Sequence, residues 1–347
     1  MPETELLVRY KFVFLFIIIL LYYPKILYSQ VYPDKEINSA LNEGINLIIT
    51  QKYSQAEFHF MRLAKKNTEF PLWNLYFAAA KIAKAYDFGY DYTDKSIQEN
   101  LDIALRKSEK LYDKDKENIW NVYFVSLSKG YIAYFNALNE NWVTSLKYGL
   151  SSLSGFEECI KKDPNFYDAY TCIGIFKYWK SRKTEFLKWL PFYSDEKQKG
   201  LGYLRKAFEH NSFNSYLAVY NMVWILIDEG KNKQAVHVSD SALKRYPDVR
   251  LFEWGLARAN ESIDIKRSIA IYSEILNSLN NTGAVSVYKQ VILKYTLARC
   301  YKKAGNNEAA LNLCNEILNI KNMDSYTKKR LENRLDKVKE LKKELSH

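Results

Sequence analysis

The chain has 347 residues and carries 51 lysines and arginines against 40 aspartates and glutamates, a net charge of +11. Its 12 glycines and 7 prolines are too few for an all-β sandwich or a dinucleotide-binding α/β domain, both of which need many turn residues. Hydrophobic residues at 48% and charged residues at 26% argue against disorder and leave an all-α fold of long helices.

The first element is a targeting segment. Phe12 to Tyr23 is an unbroken run of 12 apolar or aromatic residues, preceded by Arg9 and Lys11 and ended by Pro24 and Lys25. A bilayer span takes about 20 such residues, so the run suits the apolar core of a signal peptide, with cleavage expected between Ser29 and Gln30. An uncleaved anchor and a buried first helix are the other readings. Leu27 and the acids Glu3 and Glu5 fit a cleaved signal less well, and no cysteine follows closely enough for a lipid anchor. Cleavage removes three bases and two acids and leaves +10 on residues 30–347. The localisation expected is therefore export, to the periplasm, outer envelope or extracellular space. The charge suggests an anionic partner, or simply a lysine-rich solvated surface. It is read as spread along the chain rather than gathered in one arm, which speaks against specific nucleic-acid binding.

From residue 37 onward, apolar residues recur at helical spacing between short polar turns. The segments predict helix pairs near 37–67, 71–112, 116–162, 166–210, 214–246, 249–279 and 284–320, with a Lys- and Glu-rich capping helix over 324–345. In the fifth pair an apolar helix from Tyr216 reaches Asp228, and the turn Glu229–Asn232 follows. A second helix then carries Ala235 and Ala242 before Pro247. Gly44, Leu47, Ala56, Phe60 and Leu63 keep the same offsets near the start. Leu297, Ala298, Tyr301, Gly305, Ala310 and Ile317 keep them near the end. Asp163-Pro164-Asn165 and Tyr246-Pro247-Asp248 read as junctions, and Gly174 stands where a new first helix needs a small residue. Two helices cross closely only where a side chain is missing, hence Gly or Ala. This pattern resembles the tetratricopeptide repeat. The resemblance implies a right-handed α-α superhelix and partners that are peptides or protein subunits; no cofactor or catalytic residue is expected, on the motifs considered below.

The fourth pair holds an insertion. Gly174 to Ala207 spans 33 residues where the frame allows 19. The extra segment combines Lys180, Arg182, Lys183 and Lys188 with Phe186, Trp189, Phe192 and Tyr193. Trp189 and Phe192 either plug the core or belong to a surface loop for a partner or a membrane. Together with Asp195–Leu204, the insert resembles one found in a eukaryotic tetratricopeptide family that includes the fungal inclusion-body clearance protein.

Chemistry is sparse. His59, His210, His237 and His347 are scattered, and no zinc-protease, nucleophile-elbow or phosphate-loop motif is present. Cys159, Cys172, Cys300 and Cys314 show no metal-binding spacing. Cys159–Cys172 and Cys300–Cys314 could bridge in an oxidising compartment, or all four could be buried free thiols. In the repeat frame, the groove-facing positions of three successive first helices are Tyr220 and Trp224, Trp254 and Arg258, then Tyr295 and Arg299, with Lys302 and Lys303 extending the basic end. Tyr220 to Trp254 and Trp224 to Arg258 are both 34 residues apart, and the next two steps are both 41. Aromatic anchors beside arginines suit a peptide with an acidic end. The expected function is a non-enzymatic binding scaffold. Two other readings are a polyanion- or glycan-binding module and an accessory subunit of an enzyme encoded elsewhere.

Overall fold

The computed structural model describes residues 30–346 apart from 189–193, 211 and 322. The expected signal segment lies outside the described residues, as do Trp189 and Phe192 of the insert. Among the described residues the chain forms fifteen α-helices and no strand. They run as seven antiparallel pairs. These are α1 (Lys35–Ile49) with α2 (Tyr53–Lys66), α3 (Leu72–Phe88) with α4 (Lys95–Lys114), α5 (Ile119–Leu138) with α6 (Trp142–Lys162), and α7 (Tyr167–Lys183) with α8 (Lys197–Glu209). After them come α9 (Ser215–Asp228) with α10 (Asn232–Arg245), α11 (Arg250–Asn260) with α12 (Ile265–Asn281), and α13 (Val287–Lys303) with α14 (Asn307–Leu318). A last helix, α15 (Ser325–Leu345), closes the end.

The two helices of a pair differ in burial, and the sequence shows why. α4 buries one stripe, Ile97, Leu101, Ala104 and Ser108, and gives its other faces to charge. α9 buries Tyr216, Ala218, Val219, Met222, Val223, Ile225 and Leu226, which lie nearly all round the helix. A helix apolar on one stripe belongs outside, and one apolar all round belongs between layers. First helices of the α9 kind therefore form the inner layer, while α1 buries a single stripe of Leu41, Ile45, Ile48 and Ile49. Side chains of Asp34, Asp94, Asn118, Asp264, Ser286, Asn306 and Asp324 cap helix starts by accepting backbone N–H groups, each worth about 1 kcal/mol. In the fourth pair the helices cross at Gly174 and Gly200. A Cβ on either would lie 2.8 Å from the other's carbonyl oxygen.

Buried polar groups fix neighbouring pairs in register. Asp168, fully buried at the start of α7, accepts from Phe213 N–H (3.2 Å), Asn214 N–H (2.8 Å) and the Asn214 side chain (3.2 Å). Burial pushes its carboxyl up to about 6, against the pull of these donors. Upstream, Tyr32 wedges its ring among Phe70, Trp120 and Phe124, joining the start of the array to its second and third pairs. All four cysteines are free, so neither bridge considered from the sequence is formed. No described helix is long and apolar enough to cross a membrane.

The array also touches itself over a long range. Ser286 N–H donates to Phe88 O (3.0 Å), and Ser286 Oγ donates to Gly89 O (2.9 Å). The Tyr90 hydroxyl donates to Ala284 O. Gly89 caps α3 at φ 77°, and a Cβ there would sit 2.7 Å from both Lys289 Cβ and Ser286 Oγ. Only glycine accepts both that backbone and that contact. The second pair therefore meets the seventh.

Candidate functional site: an aromatic inner wall

This closure brings first helices together on the inner side. From α3 come Tyr86 and Asp87, from α5 Tyr131 and Tyr134, from α9 Tyr220 and Trp224. Trp254 comes from α11 and Lys289 from the first turn of α13. The Tyr86 and Tyr220 hydroxyls lie 3.0 Å apart, and the Tyr220 and Trp224 rings meet edge to face at 6.2 Å. Lys289 Nζ sits 5.1 Å from the Tyr86 ring, 4.7 Å from the Trp254 ring and 3.3 Å from Tyr86 O. Two cation–π contacts hold the ammonium, and no carboxylate pairs with it among the described residues.

The electrostatics follow from that setting. Burial, with Arg250 nearby, brings the Lys289 ammonium down to about 8, although Asp87 pulls the other way. Asp87 cannot neutralise it, because Arg250 and the Tyr53 hydroxyl already occupy both carboxylate oxygens. Tyr134 exposes 46% of its surface and Tyr86 41%. Desolvation nevertheless raises the Tyr134 phenol, and repulsion from Tyr92, Tyr86 and Tyr216 adds to it. The wall thus offers ring faces, phenol hydroxyls and one unpaired cation.

The residues expected to line one groove do not all share one surface. Tyr220, Trp224 and Trp254 belong to the inner wall. Tyr295 does not: it is 7% exposed in the core beneath α15, with the Arg334 guanidinium 4.8 Å from its ring. The capping helix α15 covers this groove position. Arg258 is exposed and pairs with Glu261, three residues on, which also accepts from the Tyr272 hydroxyl at 2.9 Å. Tyr295 and Arg299 together border a separate cleft of about 420 Å³ between α13 and α15, with Lys302, Lys303, Lys337, Glu340, Leu341 and Glu344 around it. Lys302 pairs there with Glu344. Charge is also less evenly spread than the whole-chain balance implies. Residues 287–347 hold 14 bases and 7 acids, so +7 of the +11 lies in the last helices.

Of the insert, Lys180 and Lys183 are exposed, and Arg182 bonds Asp228 and Glu185. Lys188 pairs with Glu185, and Phe186 is 73% exposed. Sequence reasoning missed Tyr86, Tyr134 and Lys289. An excess of tyrosine, 28 in all, was the available signal, but it does not say which ones converge. No group of three His, Cys, Asp or Glu side chains among the described residues could hold a metal.

No family model matches the sequence, and no curated protein matches it. Solved structures do. A chain of the APC/C hetero-tetramer Cut9–Hcn1 is similar over 89% of this chain and 56% of its own length, at 11% identity and a TM-score of 0.54. PilW, a type IV pilus biogenesis factor, is similar over 69% of this chain and 94% of its own, at 14% identity and TM-score 0.48. A thermophilic tetratricopeptide protein of Thermus thermophilus is similar over 64% of this chain and 97% of its own, at 15% identity and TM-score 0.40.

Proposed function

We propose that this chain, an all-α superhelix of tetratricopeptide type, is an exported, non-enzymatic scaffold that holds an extended peptide segment against its inner wall. Lys289 carries the reading: a desolvated ammonium with ring partners and no carboxylate is matched by an acidic side chain or chain end on the partner. Tyr86, Tyr134, Tyr220, Trp224 and Trp254 supply rigid contact area at small entropic cost. Arg258 and Arg299 are not the anchors in this reading. Export rests on the Phe12–Tyr23 run. Gln30, the residue after the expected cleavage, supports it by accepting from Asp168 N–H at 2.8 Å, which ties the mature start into the fold. The similar Cut9–Hcn1 chain belongs to a hetero-tetramer, in keeping with a scaffold role.

The test is a fluorescence-anisotropy screen of acidic peptides against the native chain and Lys289→Met. A true ligand loses about tenfold or more in affinity in the variant, the size of one charge-assisted hydrogen bond. Equal affinity of both proteins for every peptide that binds overturns the reading. A second reading, polyanion binding, is favoured by the basic cleft between α13 and α15. Polyanion affinity falls steeply with salt, whereas an aromatic-anchored peptide responds weakly.

A further inference from the structure

The largest exposed apolar stripe lies away from the inner wall, at the start of α6. Trp142, Val143, Leu146 and Leu150 expose 65%, 83%, 60% and 50% of their surfaces. Spaced at i, i+1, i+4 and i+8, they form one stripe about 12 Å long, and no described element covers it. Between Lys129 and Glu157 the only charged residues are Glu140 and Lys147. Such a stripe on a water-facing helix marks a contact surface.

The helix register shows what lies beside it. α6 runs antiparallel to α7, with Glu157 Oε1 3.4 Å from Lys177 Nζ. Counting from that pair, residue 151 is level with residue 183, so the Trp142 turn reaches past the end of α7 toward the turn after it. In that turn Phe186 is 73% exposed. Lys147, Lys180 and Lys183 are exposed at this end and make no ion pair among the described residues. The acid Glu185 is neutralised by Arg182, Lys188 and Lys197.

We propose that this end of the array docks on an anionic bilayer surface. Trp142, Val143, Leu146, Leu150 and Phe186 enter the interfacial layer, and the lysines reach the headgroup phosphates. Apolar and aromatic tips bordered by unpaired lysines are the pattern of interfacial segments, whose long cationic side chains lie along apolar surface and keep their charge in the headgroups. Protein interfaces are depleted in lysine at their centres. A second copy stacked on the stripe about a two-fold axis would gather two sets of Lys147, Lys180 and Lys183 around one contact. Charge complementarity therefore selects lipid.

The packing described above lies wholly within residues 30–346, so the chain from Gln30 onward is the unit to test, free of the apolar leader. Co-sedimentation with phosphatidylcholine vesicles containing one-third phosphatidylglycerol is compared with pure phosphatidylcholine. Binding is expected to the anionic vesicles and to be much weaker on the neutral ones. The variant Trp142→Ser, Leu146→Ser, Leu150→Ser keeps the native melting temperature and loses binding. Lys147→Glu, Lys180→Glu, Lys183→Glu loses about a hundredfold, at the roughly fivefold per lysine that a charged surface gives. No binding by the native chain, or undiminished binding by the serine variant, overturns the proposal. So does a dimer in light scattering that the serine variant dissociates, which gives the stripe to a second copy.

Discussion

Asp87, at the end of α3, and Arg250, at the start of α11, form a buried ion pair across 163 residues of chain. The guanidinium donates from Nε to Asp87 Oδ1 at 3.0 Å, the Tyr53 hydroxyl donates to Oδ2 at 3.1 Å, and Arg250 Nη1 reaches Ser278 at 2.9 Å. Removing one partner leaves an uncompensated buried charge, at about 3–5 kcal/mol. Arg250→Ala is expected to melt about 6–10 °C lower than the native chain by calorimetry. Asp87→Leu combined with Arg250→Met costs less than either single change. A melting point unmoved by Arg250→Ala shows that the pair does not hold the closure.

Gly89 supports the same closure by a different route. Gly89→Val forces a branched side chain into φ 77° and into Lys289 and Ser286. Hydrogen exchange at Ala284–Lys289 should quicken by about tenfold or more, while exchange in α6 and α8 is unchanged.

Asp168 gives the fold a pH dependence of definite sign. Its carboxyl titrates near 6 when folded, against 3.8 in an open chain. The folded state therefore holds the proton more tightly, and the stabilisation is complete below pH 4 and lost as pH rises through 6. The loss from this one group is about 3 kcal/mol. Asp168→Asn, which cannot ionise, should be less stable at pH 4 and should lack this fall in denaturation midpoint between pH 4 and 6.

Lys289 contributes with the opposite slope. Its ammonium drops from 10.5 to about 8 on folding, so its share of stability is present above pH 10.5 and lost as pH falls through 8. Below pH 8 that lost share is what an acidic ligand can return. Peptide affinity should weaken as pH rises through 8, and Lys289→Met should show a flat profile. A fall in affinity that persists in Lys289→Met assigns the titration to another group.

The thiols should be inert. Burial raises Cys159 and Cys172 to about 12 and Cys300 to about 11, and Cys314 is also raised. A disulfide reagent at pH 8 should label the native chain slowly and report four thiols once it is denatured.

The fold class was legible because it is written in local periods. Ala235 and Ala242 are small where α10 crosses its partner, and both are buried. Gly174 faces Gly200 for the same reason. The inner wall was legible only in part. A frame position says which side of a first helix a residue occupies, but not what packs upon it. Trp254 and Tyr295 share one frame position, yet Trp254 meets Lys289 while Tyr295 meets the capping helix. Lys289 precedes the frame altogether, and its partner Tyr86 is brought to it by contacts about 200 residues apart, which leave no local trace.

The junction of Gly89 with Ser286 also bears on how this chain can change over generations. A stack with free ends can gain or lose a unit by duplication or deletion, because each unit answers only to its neighbours. Here the helices between α3 and α13 must turn the chain through one fixed arc for Phe88 O to find Ser286 N–H. Deleting or doubling a helix pair within that arc would carry the two ends past each other and strand Asp87 without Arg250. The number of units between them is therefore frozen, and variation has room at the turns, where the 14-residue insertion after α7 lengthens the chain without altering the count.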